Sequence, residues 1–410
     1  MNGCRLSMSA KAQGVRLGTA LAVLCGAVVP GLAAADDRVL DTLQLHGFLS
    51  QGWVTTDHNN FFGPSSDGSG SFQYTEIGAN ASLRPHEDLL FSAQVLSRRA
   101  GGDGRDARPK LDHGVVDYQL VSTPGRTLGV QAGRFKNPFG LYNQTRDVPF
   151  ARPGILLPQS IYFDRARSLA MAADGGSVYW EERLPGGGNL RAQIGAGRAQ
   201  ADDDLEVTLG LDQVDGSIEP RDSVIGQLRY EHDGGRVVAA LSAARVKARY
   251  ERSGASDGDF EFRPWILSLQ YNQPEWSLTG EFALRESSME GLGDLGADFD
   301  ITGESWYLQY NRRFMDNWEW LIRYDSLVTD RSDRSGRDFS AGTNGQIPAH
   351  ARYAHDWTLG LRWQPHPKVL LGAEYHHVDG TGWLPGEDNP DPADTSRRWN
   401  MLLLQMSLRY

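Results

Sequence analysis

The chain has 410 residues, with 47 Gly, 2 Cys and a formal charge of −11. Two Cys exclude a disulfide scaffold or a Cys-rich zinc module, and the acidic balance excludes the basic face that nucleic-acid binding needs. Past the N-terminus no run approaches the ~20 apolar residues of a membrane-spanning helix, and the Gly, Trp and Tyr content speaks against a helical bundle.

Residues 1–35 read as a cleaved export signal. Arg5, Lys11 and Arg16 supply a basic start, Leu17 to Val29 an apolar run, and Ala33-Ala34-Ala35 the small-residue cleavage site. Both cysteines lie inside this segment, and its removal leaves a chain of charge −14. A cysteine-free, acidic, exported chain points to a bacterium, beyond its inner membrane. The remainder, 36–410, reads as a single domain.

From Leu43 onward strand follows strand. The sixteen candidates are 43–55, 71–84, 89–98, 111–123, 127–135, 169–181, 189–198, 222–231, 236–249, 260–271, 275–286, 302–313, 317–330, 354–364, 368–379 and 398–410. Each alternates with period two, because successive Cβ atoms point to opposite faces. Trp276, Leu278, Phe282 and Leu284 share one face and Ser277, Thr279 and Glu281 the other; Trp318, Trp320, Ile322 and Tyr324 alternate with Glu319, Leu321, Arg323 and Asp325. Trp357, Leu359, Leu361 and Trp363 do the same against polar neighbours. A helix would repeat at i, i+3 and i+4 instead.

The connections alternate too. Seven tight turns, such as Leu184-Pro-Gly-Gly-Gly188, His232-Asp-Gly-Gly235 and Pro365-His-Pro367, are rich in turn-forming residues, and eight longer loops separate them. An even strand number with short connections on one side and long ones on the other predicts an all-β, 16-stranded antiparallel transmembrane β-barrel. Closure pairs every backbone group in lipid. Aromatic residues near strand ends (Trp53, Tyr74, Trp265, Tyr271, Trp276, Trp306, Trp318, Trp357, Trp363) would form the interfacial girdles, and both termini would be periplasmic. The final strand puts Leu402, Leu404, Met406, Leu408 and Tyr410 on one face, similar to the signal that barrel-assembly machinery reads.

Barrels of sixteen strands leave an aqueous channel. The face opposite the apolar one carries Asn80, Gln94, Arg98, Gln227, Arg229, Arg245. It continues through Lys247, Arg263, Glu281, Arg285 and Gln309 to Arg323, Arg362 and Glu374. The pore lining is therefore expected to include Arg98, Arg229, Arg245, Arg263, Glu281, Arg285, Arg323, Arg362 and Glu374. No segment before the first strand is long enough for a plug domain. The longest loop, 136–168, holds Phe139, Leu141, Phe150, Ile155, Leu156, Leu157, Ile161 and Phe163, too apolar for a solvated surface. It is expected to fold inward, since structureless loops of this length are usually functional.

The segment Gly133-Arg-Phe-Lys-Asn-Pro-Phe-Gly-Leu141 resembles the G-x-F-K-x-P-F-x-L stretch of the phosphate-selective porins O and P, and Phe150-Ala-Arg152 resembles that family's F-x-E-R. The sixteen-strand plan with a long third loop is similar to Gram-negative trimeric porins more broadly. The resemblance implies a homotrimer of water-filled barrels in the bacterial outer membrane, each with a loop-lined constriction. This sequence departs from the pattern at Tyr142 and Ala151, each where Glu would stand, and has few lysines.

Arg134, Lys136, Arg146, Asp147, Arg152, Asp164, Arg165 and Arg167 are the candidate constriction residues. Their cationic excess would concentrate anions over a low-dielectric wall, unless Arg146–Asp147 and Asp164–Arg165 merely tie the loop together. Outer loops are acidic: 199–220 holds seven carboxylates and no base, and Asp294, Asp298, Asp300, Glu387, Asp388, Asp391 and Asp394 continue the theme. Such groups either bridge divalent cations to lipopolysaccharide or simply stay solvated. Gly291-Leu-Gly-Asp-Leu-Gly296 lacks the βαβ surroundings of a dinucleotide site, and His376 and His377 point to opposite faces.

The sequence thus predicts a non-enzymatic diffusion channel for small hydrophilic solutes, leaning to anions such as phosphate or small carboxylates, with no cofactor or metal. Its partners would be outer-membrane lipid and lipopolysaccharide. The competing expectation is a non-conducting barrel, sealed by the third loop, that works as an enzyme or a surface-interaction protein.

Overall fold

The computed structural model describes residues 37–410 except 103–106, 165–166, 201–214, 253–255 and 296–297. The export signal, Arg165 and most of the acidic stretch after Ala199 therefore lie outside the described residues. Sixteen strands run β1 Gln44–Thr56, β2 Ser71–His86, β3 Leu89–Ala100, β4 Lys110–Thr123, β5 Arg126–Lys136, β6 Ala172–Leu184, β7 Gly188–Ala199 and β8 Ser217–His232. They continue with β9 Val237–Glu251, β10 Gly258–Asn272, β11 Trp276–Glu290, β12 Phe299–Phe314, β13 Trp318–Val328, β14 Tyr353–His366, β15 Val369–Gly380 and β16 Arg398–Arg409. Each pairs antiparallel with its chain neighbours, and β1 pairs with β16 to close the barrel. Strand ends differ from the sequence expectation by at most five residues.

Register fixes the two faces. Leu278 faces Tyr310, Leu359 faces Ile322 and Leu404 faces Trp53 on the outside, while Glu281 meets Ser268 and Tyr307 inside. The outer aromatic residues pack ring on ring, tilted or stacked, in the run Tyr271–Trp276–Tyr310–Trp320 and in the pair Trp318–Trp363. Tyr74 is a correction: it points inward and is 1 % exposed. His376 and His377 do face opposite ways, the first toward Asp356 and the second toward Asn400. The start of β1 and the residue that follows β16 are joined by Gly47–Tyr410 backbone hydrogen bonds, at the short-turn end of the barrel.

The second correction concerns height. Strands β2, β8 and β12 have 16 residues. At about 3.3 Å per residue and a tilt near 40°, such a strand climbs about 40 Å, against an apolar band about 25 Å tall. Above that band the outside is no longer hydrocarbon, and the pattern of β8–β11 inverts. Arg245, Lys247 and Arg263 face outward, not into the lumen, and Arg245 and Arg263 pair with Glu261 at 2.8 and 3.4 Å. Ala244, Val246, Phe260 and Phe262 take the inner face instead. Assigning the polar side to the lumen along a whole strand fails once the strand leaves the membrane.

At the long-loop end, loop 57–70 locks onto loop 381–397. Asn59 and Ser396 exchange two hydrogen bonds of 2.7 Å, and Asn60 and Asn389 exchange two more. Beneath them Phe61, Phe62, Tyr74, Trp383 and Trp399 form a buried aromatic cluster. Asp388, one of the acids expected to bridge cations or stay solvated, is instead buried and accepts the Gly63 and Gly102 N–H groups at 2.9 and 3.2 Å. Asp298 and Asp391 likewise accept N–H bonds from their own loops, those of Leu292 and Ala393.

Candidate functional site: the loop folded into the lumen

The motif at the end of β5 launches the loop. Gly133 has φ 117°, and a Cβ there would lie 2.2 Å from the Gly114 carbonyl oxygen, so only glycine lets β4 and β5 approach so closely. Gly140, at φ 62°, turns the chain beneath the Tyr162 hydroxyl. The Asn137 and Asn143 side chains each donate to the Ala170 carbonyl, at 3.1 and 2.7 Å, which clamps the two ends of the loop together.

Between these ends the loop crosses the lumen, and inward side chains of the wall hold its backbone. Gly140 N–H donates to Ser242 Oγ, and the Gln227 side chain donates to the Gly140 carbonyl. Glu281 accepts the Leu141 N–H at 3.0 Å together with the hydroxyls of Tyr162, Tyr307 and Ser268. Glu374 accepts the N–H groups of Ile155 and Leu156 at 2.6 and 3.0 Å, and Asp325 that of Ser160 at 3.2 Å. Arg323 donates to the Leu156 carbonyl at 3.1 Å, and Arg362 donates to that of Arg152. A buried carboxylate that accepts several N–H or O–H bonds is well satisfied. These groups act as latches.

The predicted charges fall into three sets. The first is an ionic cluster of loop and wall. Lys136 and Arg167 both bind Asp147, and Lys136 also binds Asp112 at 2.6 Å. Asp164 receives Arg98 at 2.8 Å, with Arg167 and Arg146 at 3.6 and 3.8 Å. Arg152 binds Glu76 and the Tyr74 hydroxyl. Burial alone would raise the Asp147 carboxyl, but Lys136 and Arg167 hold it well below the usual carboxylate range. Asp164 is also lowered, by Arg98, Arg146 and Arg167 against the effect of burial.

The second set faces the lumen elsewhere. Arg229 is half-buried against Glu231 at 2.7 Å, and Arg285 lies over the Phe163 ring at 5.1 Å. Glu281, Arg323 and Glu374 also point inward but are covered by the loop, so they latch it instead of lining water. The third set faces out. Arg134 joins Arg245 and Arg263 there: alternation with inward Phe135 puts it on the other face, where it makes two bonds to Asp174 at 2.7 and 2.8 Å.

Of the two ties foreseen, Asp147 pairs with Lys136 and Arg167 in place of Arg146, and Asp164–Arg165 falls on Arg165, outside the described residues. Counting the first set, Arg98, Lys136, Arg146, Arg152 and Arg167 meet Glu76, Asp112, Asp147 and Asp164, so the cationic excess is smaller than the loop sequence alone suggests. Sequence reading missed Glu76, Asp112 and Tyr162. Glu76 shares the inward face of β2 with Tyr74 and is the one acidic residue of that strand, and that isolated inward acid is the available signal. Among the described residues, His86, Glu87 and Asp88 bring three donor atoms within 4.8 Å at a short turn, away from the lumen.

Above the loop, toward the long-loop end, a cavity of about 740 Å³ opens between the outer halves of β7 to β13. Phe135, Phe139 and Phe163 line it near the loop, and Asp330, Asp333 and Phe339 line it near the mouth. Below the loop the wall of β4 to β8 is polar, with His113, Asp117, Gln131, Glu181 and Arg191 half-buried on the inner face.

No family model and no curated protein matches the sequence. Solved structures do match the fold. The anion-selective porin from Comamonas acidovorans superposes at TM-score 0.57 with 14% identity, covering 90% of this chain and 99% of that one. The outer membrane channel DcaP of Acinetobacter baumannii gives 0.57 at 12% identity over 90% and 97% of the two chains. OmpF of Salmonella typhi, in complex with daunomycin, gives 0.54 at 13% identity over 90% and 97%. The chain therefore has the sixteen-strand barrel fold of Gram-negative outer-membrane porins.

Proposed function

We propose that this chain is an outer-membrane porin, a non-enzymatic channel for small hydrophilic solutes with an anion lean toward phosphate or small carboxylates. One observation carries the reading: a closed barrel with an apolar skin encloses a polar lower wall, narrowed by a loop that the wall holds in place. A barrel of this size has a bore that side chains alone do not fill. Its constriction is formed by the loop that carries Lys136, Asp164 and Arg167 partly exposed and Arg146, Asp147 and Arg152 buried behind them, and Arg165 belongs to the same stretch. The small cationic excess of that cluster over a low-dielectric wall supports the anion lean.

Homotrimers, periplasmic termini, export by the residue 1–35 signal and assembly through the Tyr410 strand belong to the same proposal. The outward Arg245, Arg249 and Arg263, above the apolar band, suit contact with lipopolysaccharide and lipid headgroups.

Planar-bilayer recording tests the reading. Discrete, salt-dependent steps are expected, and in a KCl gradient Arg191→Glu with Arg229→Glu moves the reversal potential toward cations. Silence would instead favour a sealed barrel, the reading to which the dense ties of the loop lend support.

A further inference from the structure

Apolar side chains on the inside of a water-filled passage need a reason, because they leave hydrocarbon facing water. In this barrel they gather in the cavity above the loop. Val246, Phe260, Phe262 and Phe299 come from the outer halves of β9, β10 and β12, and Phe139 and Phe163 come from the loop beneath. The cavity, about 740 Å³, falls in the size range of small-molecule sites.

Charge gives this cavity a sign. Among the described residues its lining holds four carboxylates, Asp298, Asp330, Asp333 and Asp338, against two guanidiniums, Arg285 and Arg352. Both guanidiniums are engaged. Arg285 lies over Phe163 at 5.1 Å and donates to the Val328 carbonyl at 3.2 Å. Arg352 lies over Phe339 at 4.1 Å, within the field of Asp330 and Asp333. Asp298 and Asp338 are the surplus, and both are exposed. Asp298 accepts the Leu292 N–H at 2.7 Å. A carboxylate has about four lone-pair sites, so that bond leaves it both its charge and room for a cation. The acids do not converge: among the described residues no three donors around the cavity lie close enough to cage a metal ion. Separated carboxylates above an apolar, aromatic floor instead match an organic cation, whose body the floor dehydrates while its charge stays at the wet rim.

We infer that this vestibule is a binding site for small amphipathic organic cations, an aromatic ring bearing an ammonium group, with the ring among Val246, Phe262 and Phe299 and the ammonium at the rim toward Asp298 and Asp338. The inference goes beyond the channel reading, since the site lies above the constriction and takes the charge opposite to the one favoured there. The test does not depend on conduction.

Fluorine NMR of 4-fluorobenzyltrimethylammonium, whose charge does not titrate, is expected to show saturable line broadening with the barrel in non-ionic detergent and none with empty micelles. Unlabelled benzyltrimethylammonium should compete at least tenfold better than tetramethylammonium, which lacks the ring, or benzyl alcohol, which lacks the charge, and benzoate should compete worst. Phe262→Ala should weaken binding about fivefold, and Asp298→Asn combined with Asp338→Asn should bring benzyltrimethylammonium level with benzyl alcohol; heat-modifiable gel mobility reports whether each variant is folded. Broadening that does not saturate, tetramethylammonium or benzoate competing as well as benzyltrimethylammonium, or both folded variants binding as the wild type would overturn the site. Saturable binding by a barrel that is silent in bilayers would keep the site and remove the channel; steps without binding would do the reverse.

Discussion

The two sides of the lumen are built from similar side chains to opposite ends. On the side of β13 to β16 and β1 to β2, inward groups are covered: Ile155 and Leu156 pack with Phe61, Trp383 and Trp399, and Glu76, Asp325 and Glu374 each bind the loop. On the side of β7 to β12, Phe260, Phe262 and Ile301 face a cavity. The difference lies in what covers the wall, not in what the wall is made of. The wall holds the loop from both sides, through Glu76, Asp325 and Glu374 on one and Gln227, Ser242 and Glu281 on the other, but only the first side is also capped, by loops 57–70 and 381–397 packed on its aromatic cluster.

The most damaging change should be on the covered side. Glu76→Ala strands buried Arg152, which is 5 % exposed, and weakens the hold on Arg98. Removing one partner of a buried pair costs about 3 to 5 kcal/mol. The expected outcome is a lower urea midpoint of the barrel in detergent, with irregular, larger current steps as the loop loosens. Unchanged stability would mean that the pair is not desolvated, and the contrast between the sides would lose its electrostatic half.

A matched pair of truncations sharpens the apolar half. Phe61→Ala opens a hole in a packed aromatic cluster and should cost about 3 to 5 kcal/mol locally, read as faster amide exchange across 59–63 and 383–399. Phe262→Ala borders a cavity already present, so fewer contacts are lost. Its cost should stay near 1 kcal/mol by the same measure of transfer and cavity terms. Equal costs would show that the vestibule is packed in solution. Between these in size, Glu374→Gln should cost about 1 to 3 kcal/mol by leaving the Ile155 and Leu156 N–H groups poorly satisfied, seen as proteolytic nicking near 153–157.

Much of this was legible beforehand, and the exceptions have physical causes. All sixteen strands, the alternation of short and long connections and the inward fold of the third loop follow from period-two patterning and from the apolar content of 136–168. Placement failed for Arg134, Arg245 and Arg263 because alternation gives two faces but not which of them meets water, and that changes with height along one strand. Tyr74 reads as a girdle residue in the sequence because an aromatic near a strand end has the same local signature inside or out. The partners of Asp147 and Asp164 could not be read, since Arg98 and Asp112 reach them from other strands and nothing local encodes that meeting.

The smallest effect separates the lumen from its cap by the sense of its pH dependence. Asp147 is held below the usual carboxylate range by Lys136 and Arg167 despite burial, so it adds stability that is present above the unfolded pKa of about 4 and is lost as pH falls toward its own lower value. Asp388 behaves oppositely. Burial raises it, and the Gly63 and Gly102 N–H groups offset only part of that. Its contribution is complete below about pH 4 and is lost as pH rises through its raised value. Acidification should therefore loosen the loop at 146–148 while tightening the contact between loops 57–70 and 381–397. Amide exchange corrected for intrinsic rate should record the two trends in one titration. Asp388→Asn should flatten the second trend and leave the first, because the two carboxyls share no partner. If both regions moved in the same direction, the Asp388 carboxyl would be solvated, and the cap would owe its closure to the asparagine pairs and the aromatic cluster alone.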